Sequence, residues 1–260
     1  MRHQLTLIAF VLSLLSCKKE NIDLPGKLLT DAASASNKNS KKVLPKRIWH
    51  AYLHYVDTWD FFYNKRGEVD SIDLLIESSY YGQLKMGYKV YYSGSRIDSV
   101  TRTYWGDPWD ILRNIKYENG LIVEADLYPA RIFNNPPVKW KLEYDNKKRP
   151  LNSPIGERFY YDDKGNLISY THPVVLYYNA SYESDNKENP MHRIPNLNII
   201  MLNETQTAAK WYNPHNVTTI TFDDGQKVNL ENTYDYMGNL ITQLNPRGFY
   251  SSPDYWVFVY

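Results

Sequence analysis

One cysteine, Cys17, occurs in 260 residues, so the chain has no internal disulfide framework. Its charges nearly cancel, at a net +1. Phosphate binding needs a basic surplus, so nucleic acid is excluded as a partner. No apolar run reaches the roughly 20 residues that a membrane-spanning helix requires. A Gly-x-Ser-x-Gly elbow, a phosphate-cradling glycine loop, a zinc-binding His-Glu-x-x-His and an EF-hand loop are all missing. No cofactor or metal is therefore expected, and an enzymatic reading has no motif to rest on. What the chain has in excess is aromatic side chains, with 24 Tyr, 7 Trp and 8 Phe.

The first residues, Met1-Arg2-His3, carry one positive charge, and residues 5–15 are almost wholly apolar. A charged start before a short apolar run is the plan of a secretory signal peptide. The run ends in Leu14-Leu15-Ser16-Cys17, which resembles the lipobox of bacterial lipoproteins. That resemblance implies cleavage between Ser16 and Cys17 and acylation of Cys17. Several acyl chains on one residue hold a protein at a membrane, since each buried CH₂ contributes about 0.8 kcal/mol. The residue after Cys17 is Lys18 rather than Asp, which by the same resemblance implies the outer membrane. The charged Lys18-Lys19-Glu20 resembles surface-export signals of some lipoproteins. Residues 18–46 are rich in Lys, Asn, Ser and Ala. They bury too little to offset ordering entropy and read as a disordered tether spanning about 30 Å. The expected organisation is a signal peptide at 1–16, the lipidated Cys17 and tether at 17–46, and one domain at 47–260.

Within that domain a short pattern recurs: an aromatic residue, polar residues, Gly, a polar residue, an aliphatic. It reads Tyr63-Asn-Lys-Arg-Gly67-Glu-Val69, Tyr92-Ser-Gly94-Ser-Arg-Ile97, Tyr117-Glu-Asn-Gly120-Leu-Ile122 and Tyr144-Asp-Asn-Lys-Lys148-Arg-Pro-Leu151. It continues as Tyr161-Asp-Asp-Lys-Gly165-Asn-Leu167, Phe222-Asp-Asp-Gly225-Gln-Lys-Val228 and Tyr234-Asp-Tyr-Met-Gly238-Asn-Leu240. Asn and Asp hydrogen-bond locally, and Gly supplies positive φ, so each copy reads as a β-hairpin turn. The flanks alternate as strands do. Trp140, Leu142 and Tyr144 fall on one face, opposite Lys139, Lys141 and Glu143, and Met86, Tyr88, Val90 and Tyr92 share another. The expected fold is an all-β antiparallel meander of about 14–16 strands, as a large twisted sheet or a partly closed barrel.

The copies at 161–167 and 234–240 resemble YD repeats, the hairpin units of RHS and teneurin-type proteins. With the lipobox, the chain looks like the YD-repeat-like lipoproteins of unknown function whose fold is described as porin-like. This resemblance implies architecture and not activity. One copy departs from the pattern, with Lys148 in place of Gly. The repeat lapses between 173 and 214, where residues 196–202 read as a buried strand or a short helix. An insertion in a regular sheet is a natural place for function, or else a capping loop.

The candidate ligand-binding residues are Trp105 and Trp109, in Trp105-Gly-Asp-Pro-Trp109. Gly106 and Pro108 mark a turn there, and exposed indoles offer flat surfaces to a sugar ring or a protein partner. The opposing reading is that both rings fold back onto the sheet. His50 and His54 are four residues apart in a strand-like stretch, about 13 Å, too far to share a metal ion. Asp162-Asp163 and Asp223-Asp224 fall in hairpin turns, where Asp has a structural role. No catalytic residue is therefore assigned. The functional expectation is a lipid-anchored envelope binding or scaffold protein for a glycan or an envelope protein. An envelope hydrolase acting on carbohydrate, or a membrane-embedded β-barrel closing on Tyr255-Trp-Val-Phe-Val-Tyr260, is the alternative.

Overall fold

The computed structural model describes residues 43–260, apart from 53–54, 79, 81, 130–135, 154–155, 172–178, 195, 201–212 and 246–253. The lipobox, Cys17, the tether and His54 lie outside the described residues. Nearly everything described is antiparallel β-structure, in two sheets. The first eight strands form a meander: β1 (Arg47–Tyr52), β2 (Tyr55–Tyr63), β3 (Val69–Ser78), β4 (Gly82–Ser93), β5 (Arg96–Tyr104), β6 (Asp107–Glu118), β7 (Leu121–Pro129) and β8 (Val138–Lys141). A second meander follows in a separate sheet: β9 (Arg158–Tyr161), β10 (Leu167–Thr171), β11 (Ala180–Glu188), β12 (His215–Phe222) and β13 (Lys227–Asn229). The chain then returns to the first sheet through β14 (Glu231–Tyr234), β15 (Leu240–Asn245) and β16 (Asp254–Val259). Strand β16 pairs with β1, register Arg47↔Val259, which makes the first sheet 11-stranded. Among the described residues, one short helix, α1 (Leu197–Ile200), interrupts the β-structure.

Alternation decides which side of each strand is buried. In β8 and its extension, Trp140 and Leu142 are buried while Lys139, Lys141 and Glu143 point out. In β4, Tyr88 and Val90 are buried, and Met86 and Tyr92 pack partly buried beside them. The inward residues of both sheets, such as Ile48, Trp59, Ile72, Leu112, Phe159, Leu167 and Trp256, merge into one hydrophobic core. The outward positions carry ion pairs: Arg47–Asp60 at 2.5 Å, Lys89–Asp70 at 2.5 Å, Lys116–Glu124 at 2.7 Å and Arg158–Glu143 at 2.5 Å. A membrane-spanning barrel leaves no open sheet edge, whereas the described strands fall into two sheets with no ladder between them. The membrane-embedded alternative is disfavoured on that ground.

The recurring Asp and Asn follow from turn chemistry. Asp162 Oδ1 accepts the N–H of Asn166 at 2.7 Å, and Gly165 N–H donates to the Asp162 carbonyl at 3.1 Å. Asp145, Asp235 and Asn64 make the same bonds to the residue four ahead. Gly67, Gly165 and Gly238 hold positive φ in these turns, and Lys148 takes the same place at φ 65. The divergent copy thus keeps the geometry and bears the strain that glycine avoids.

The recurring tyrosine has a second cause. Tyr92 donates its hydroxyl to the Val69 carbonyl at 2.9 Å, Tyr117 to Ile97 at 2.9 Å and Tyr144 to Ile122 at 2.8 Å. Tyr260 donates to Leu240 at 2.9 Å. In each case the aromatic of one hairpin satisfies the carbonyl of the buried aliphatic of the hairpin before it. These turns therefore gather at one end of the strands. The Phe222 copy lies at the other end, because β12 starts at His215, beside Glu188, and runs away from the tyrosine end.

The two sheets do not close into a barrel through a continuous ladder, but polar groups bridge both gaps. Between β8 and β9, Asn152 accepts from the Glu143 N–H at 2.7 Å and donates to the Lys141 carbonyl at 3.0 Å. Isolated bridges pair Tyr144 with Pro150 and Asn152 with Arg158. Between β12 and β14, the side-chain amides of Asn232 and Gln243 both donate to the Val217 carbonyl at 3.1 Å. Leu230 N–H donates to the Thr218 carbonyl at 2.7 Å.

Candidate functional site

The two tryptophans of the sequence analysis have different fates. β5 ends at Tyr104 and β6 starts at Asp107, leaving Trp105-Gly106 as a two-residue hairpin loop. Both central residues have positive φ, 54° at Trp105 and 89° at Gly106, the type I′ arrangement. That loop suits Asn-Gly. A bulky residue at its first position is an outlier. Trp105 N–H is tied to the Lys85 carbonyl at 2.8 Å, yet the residue is 57% exposed. Trp109 instead packs against Tyr104, ring centroids 4.9 Å apart, and is partly buried. The structure thus leaves one indole standing clear and folds the other onto the sheet. Neighbouring β4 reaches beyond Lys85 to Gly82, so Trp105 sits on a ledge beside a taller hairpin.

The insertion runs inward. Met191, Ile194, Leu197, Ile199 and Ile200 are all buried in the common core. Asn189 anchors the segment, donating to the Asn213 carbonyl at 2.8 Å and accepting from the Met191 N–H at 3.0 Å. Residues 189–200 therefore fill the tyrosine end of the strands, and residues 196–202, read from sequence as strand or helix, contain the short helix α1. Between this segment and the hairpin turns lies a cavity of about 420 Å³. Its walls include Tyr117, Tyr144, Tyr161, Ile122, Ile194 and Leu197, and Lys148 and Arg149 also line it. Sequence reasoning missed this cavity. The signal available was the regular spacing of each tyrosine after an aliphatic, which places the rings at one level.

Other candidates have structural duties. His50 stacks on Trp256 at 3.9 Å and lies 3.5 Å from the Asp57 carboxylate. At Asp162, burial acts against the charged form. The bonds from Asn166, Gly165 and Lys164 outweigh it and hold the carboxyl below its ordinary value. A carboxylate so engaged is a poor proton donor. Asp223 and Asp224 are exposed in the turn at the far end, where Asp224 accepts from the Gln226 N–H at 2.8 Å. Among the described residues, no group of three or more His, Cys, Asp or Glu is placed to hold a metal ion.

No family model and no curated protein matches the chain. Among solved structures, a porin-like protein from Bacteroides uniformis is similar at a TM-score of 0.48 and 10% identity, over 82% of this chain and 96% of that one. A similarity of this degree assigns neither family nor function.

Proposed function

We propose that the chain is a lipid-anchored cell-envelope protein of YD-like hairpins that binds a glycan, with Trp105 as the stacking surface. Trp105 carries the reading: a large apolar ring is held more than half exposed, on a backbone conformation that disfavours it. Strain of this kind persists where function needs it. An indole face stacks on the C–H face of a sugar ring, and the Lys85 carbonyl fixes the backbone that presents it. The anchor rests on Leu14-Leu15-Ser16-Cys17, and the outer membrane, with display at the cell surface, on Lys18-Lys19-Glu20.

Two experiments test the reading. Metabolic labelling with a fatty acid is expected to mark the wild-type chain and not Cys17→Ser; equal labelling refutes the anchor. A glycan array probed with wild type and Trp105→Asn is expected to give hits that the variant loses. Asn suits the turn, so loss of binding there is not loss of fold. Hits retained by the variant refute the site. A blank array refutes the glycan and leaves an envelope-protein partner to be sought by crosslinking in cells.

A further inference from the structure

We propose a second site, for a small anionic amphiphile with a flat apolar body, such as an aromatic carboxylate or sulfonate, in the cavity at the tyrosine end. It lies the length of β6 from Trp105, about 40 Å at 3.3 Å per residue, and stands independently of the glycan reading.

The first observation is Tyr161. In the other tyrosine-end hairpins the hydroxyl is bonded, as at Tyr117 and Tyr144. The pattern assigns Tyr161 the Leu151 carbonyl, which accepts the Phe159 N–H at 3.0 Å and not this hydroxyl. The Tyr161 hydroxyl is buried with no hydrogen-bond partner among the described residues, and its residue lines the cavity. A buried hydroxyl left unpaired is destabilising, and a ligand oxygen removes that deficit.

The second observation is the charge of the lining. Among the described lining residues there are cations, Lys148 and Arg149, and no carboxylate. Arg149 is already committed to Asp145 at 2.6 Å and to the Asp162 carbonyl at 2.8 Å, and its guanidinium lies 4.7 Å from the Tyr161 ring centroid. Its charge is thus balanced by Asp145, and it serves to hold the Tyr161 ring. Lys148 has no ion-pair partner among the described residues, and its backbone stays at φ 65, where glycine would be relaxed. The remaining walls are mainly aliphatic side chains and tyrosine rings, with His192 and Asn196 as further polar groups, and the volume is in the ordinary range for small-molecule sites, about 300–1,000 Å³.

The test uses the full chain carrying Cys17→Ser and the fluorescent probe anilinonaphthalene sulfonate, which has this shape and charge. One saturable site is expected. Tyr161→Phe and Lys148→Glu are each expected to weaken it roughly tenfold, the scale of one charge-assisted bond. Trp105→Asn is expected to leave it unchanged. Tyr161→Phe is expected to keep or raise the melting temperature, because its hydroxyl bonds nothing among the described residues; Tyr144→Phe is expected to lower it. Absence of saturable binding overturns the proposal, as does affinity unmoved by both cavity variants. A lowered melting temperature in Tyr161→Phe also overturns it, since the hydroxyl would then serve the fold.

Discussion

Replacing Trp105 by Ala and by Asn separates the ring from the backbone that carries it. Both substitutions remove the same indole, so the packing lost is common to the two. They differ in what the left-handed conformation costs. At φ 54 a residue with a Cβ bears roughly 1–2 kcal/mol, whereas Asn tolerates this region and is favoured at the first position of a type I′ loop. Trp105→Asn is expected to be the more stable variant by about 1 kcal/mol, since Asn retains part of the penalty. For a domain of this size that is about 2–4 °C in Tm. Urea and thermal unfolding of both variants, followed by circular dichroism, give the difference directly. Glycan binding is expected to be lost equally in the two. Equal stability would falsify the claim that the turn is strained, and with it the argument that the indole is kept there for recognition.

Other perturbations follow from the same structure. Lys148→Gly relieves the other strained hairpin turn and is expected to raise stability by about 0.5–1 kcal/mol, read from the urea midpoint. Tyr117→Phe removes the bond to the Ile97 carbonyl and is expected to cost about 1 kcal/mol in the same assay. Glu157 is 3% exposed; burial pushes its carboxyl above the ordinary range, partly offset by Ser153. The folded state therefore holds this proton more tightly than the unfolded state does. Its stability contribution is complete below the unfolded value, about 4.3, and is lost as pH rises through the folded one. Glu157→Gln is expected to abolish that decline and to gain about 1 kcal/mol at neutral pH, measured by melting from pH 4 to 8. Asp110, buried against Arg102, is expected to cost about 3 kcal/mol on change to Asn, in thermal melts.

The parts legible in the sequence were those set by local chemistry. Asp162, Gly165 and Asn166 sit within one turn and bond to each other, so the hairpin at 161–167 can be read without its surroundings. Alternation fixed the faces of β4 and β8 for the same reason. The division into two sheets was not legible. It depends on Asn152, Asn232 and Gln243 meeting backbone 9–26 residues away, and sequence gives no sign that these amides bridge rather than solvate. The Phe222 copy matched the motif yet lies at the opposite end, because the motif specifies a turn and not the direction of the strand entering it. Trp105 and Trp109 share one turn and looked equivalent. Their difference arises from the register of β5 on β6, which puts Trp109 beside Tyr104 and leaves Trp105 at the tip.

The pairing of β16 with β1 joins residues about as far apart in the described chain as any two can be. Contacts of such sequence separation form late, because the closure entropy of the intervening chain is lost before they contribute. Slow folding is the kinetic consequence, with β1 and β15 presenting bare edges until the final strand arrives. In that interval the chain is open to strand exchange with its own copies. Chaperone dependence, and domain-swapped species after rapid refolding at high concentration, are therefore properties to expect of this architecture.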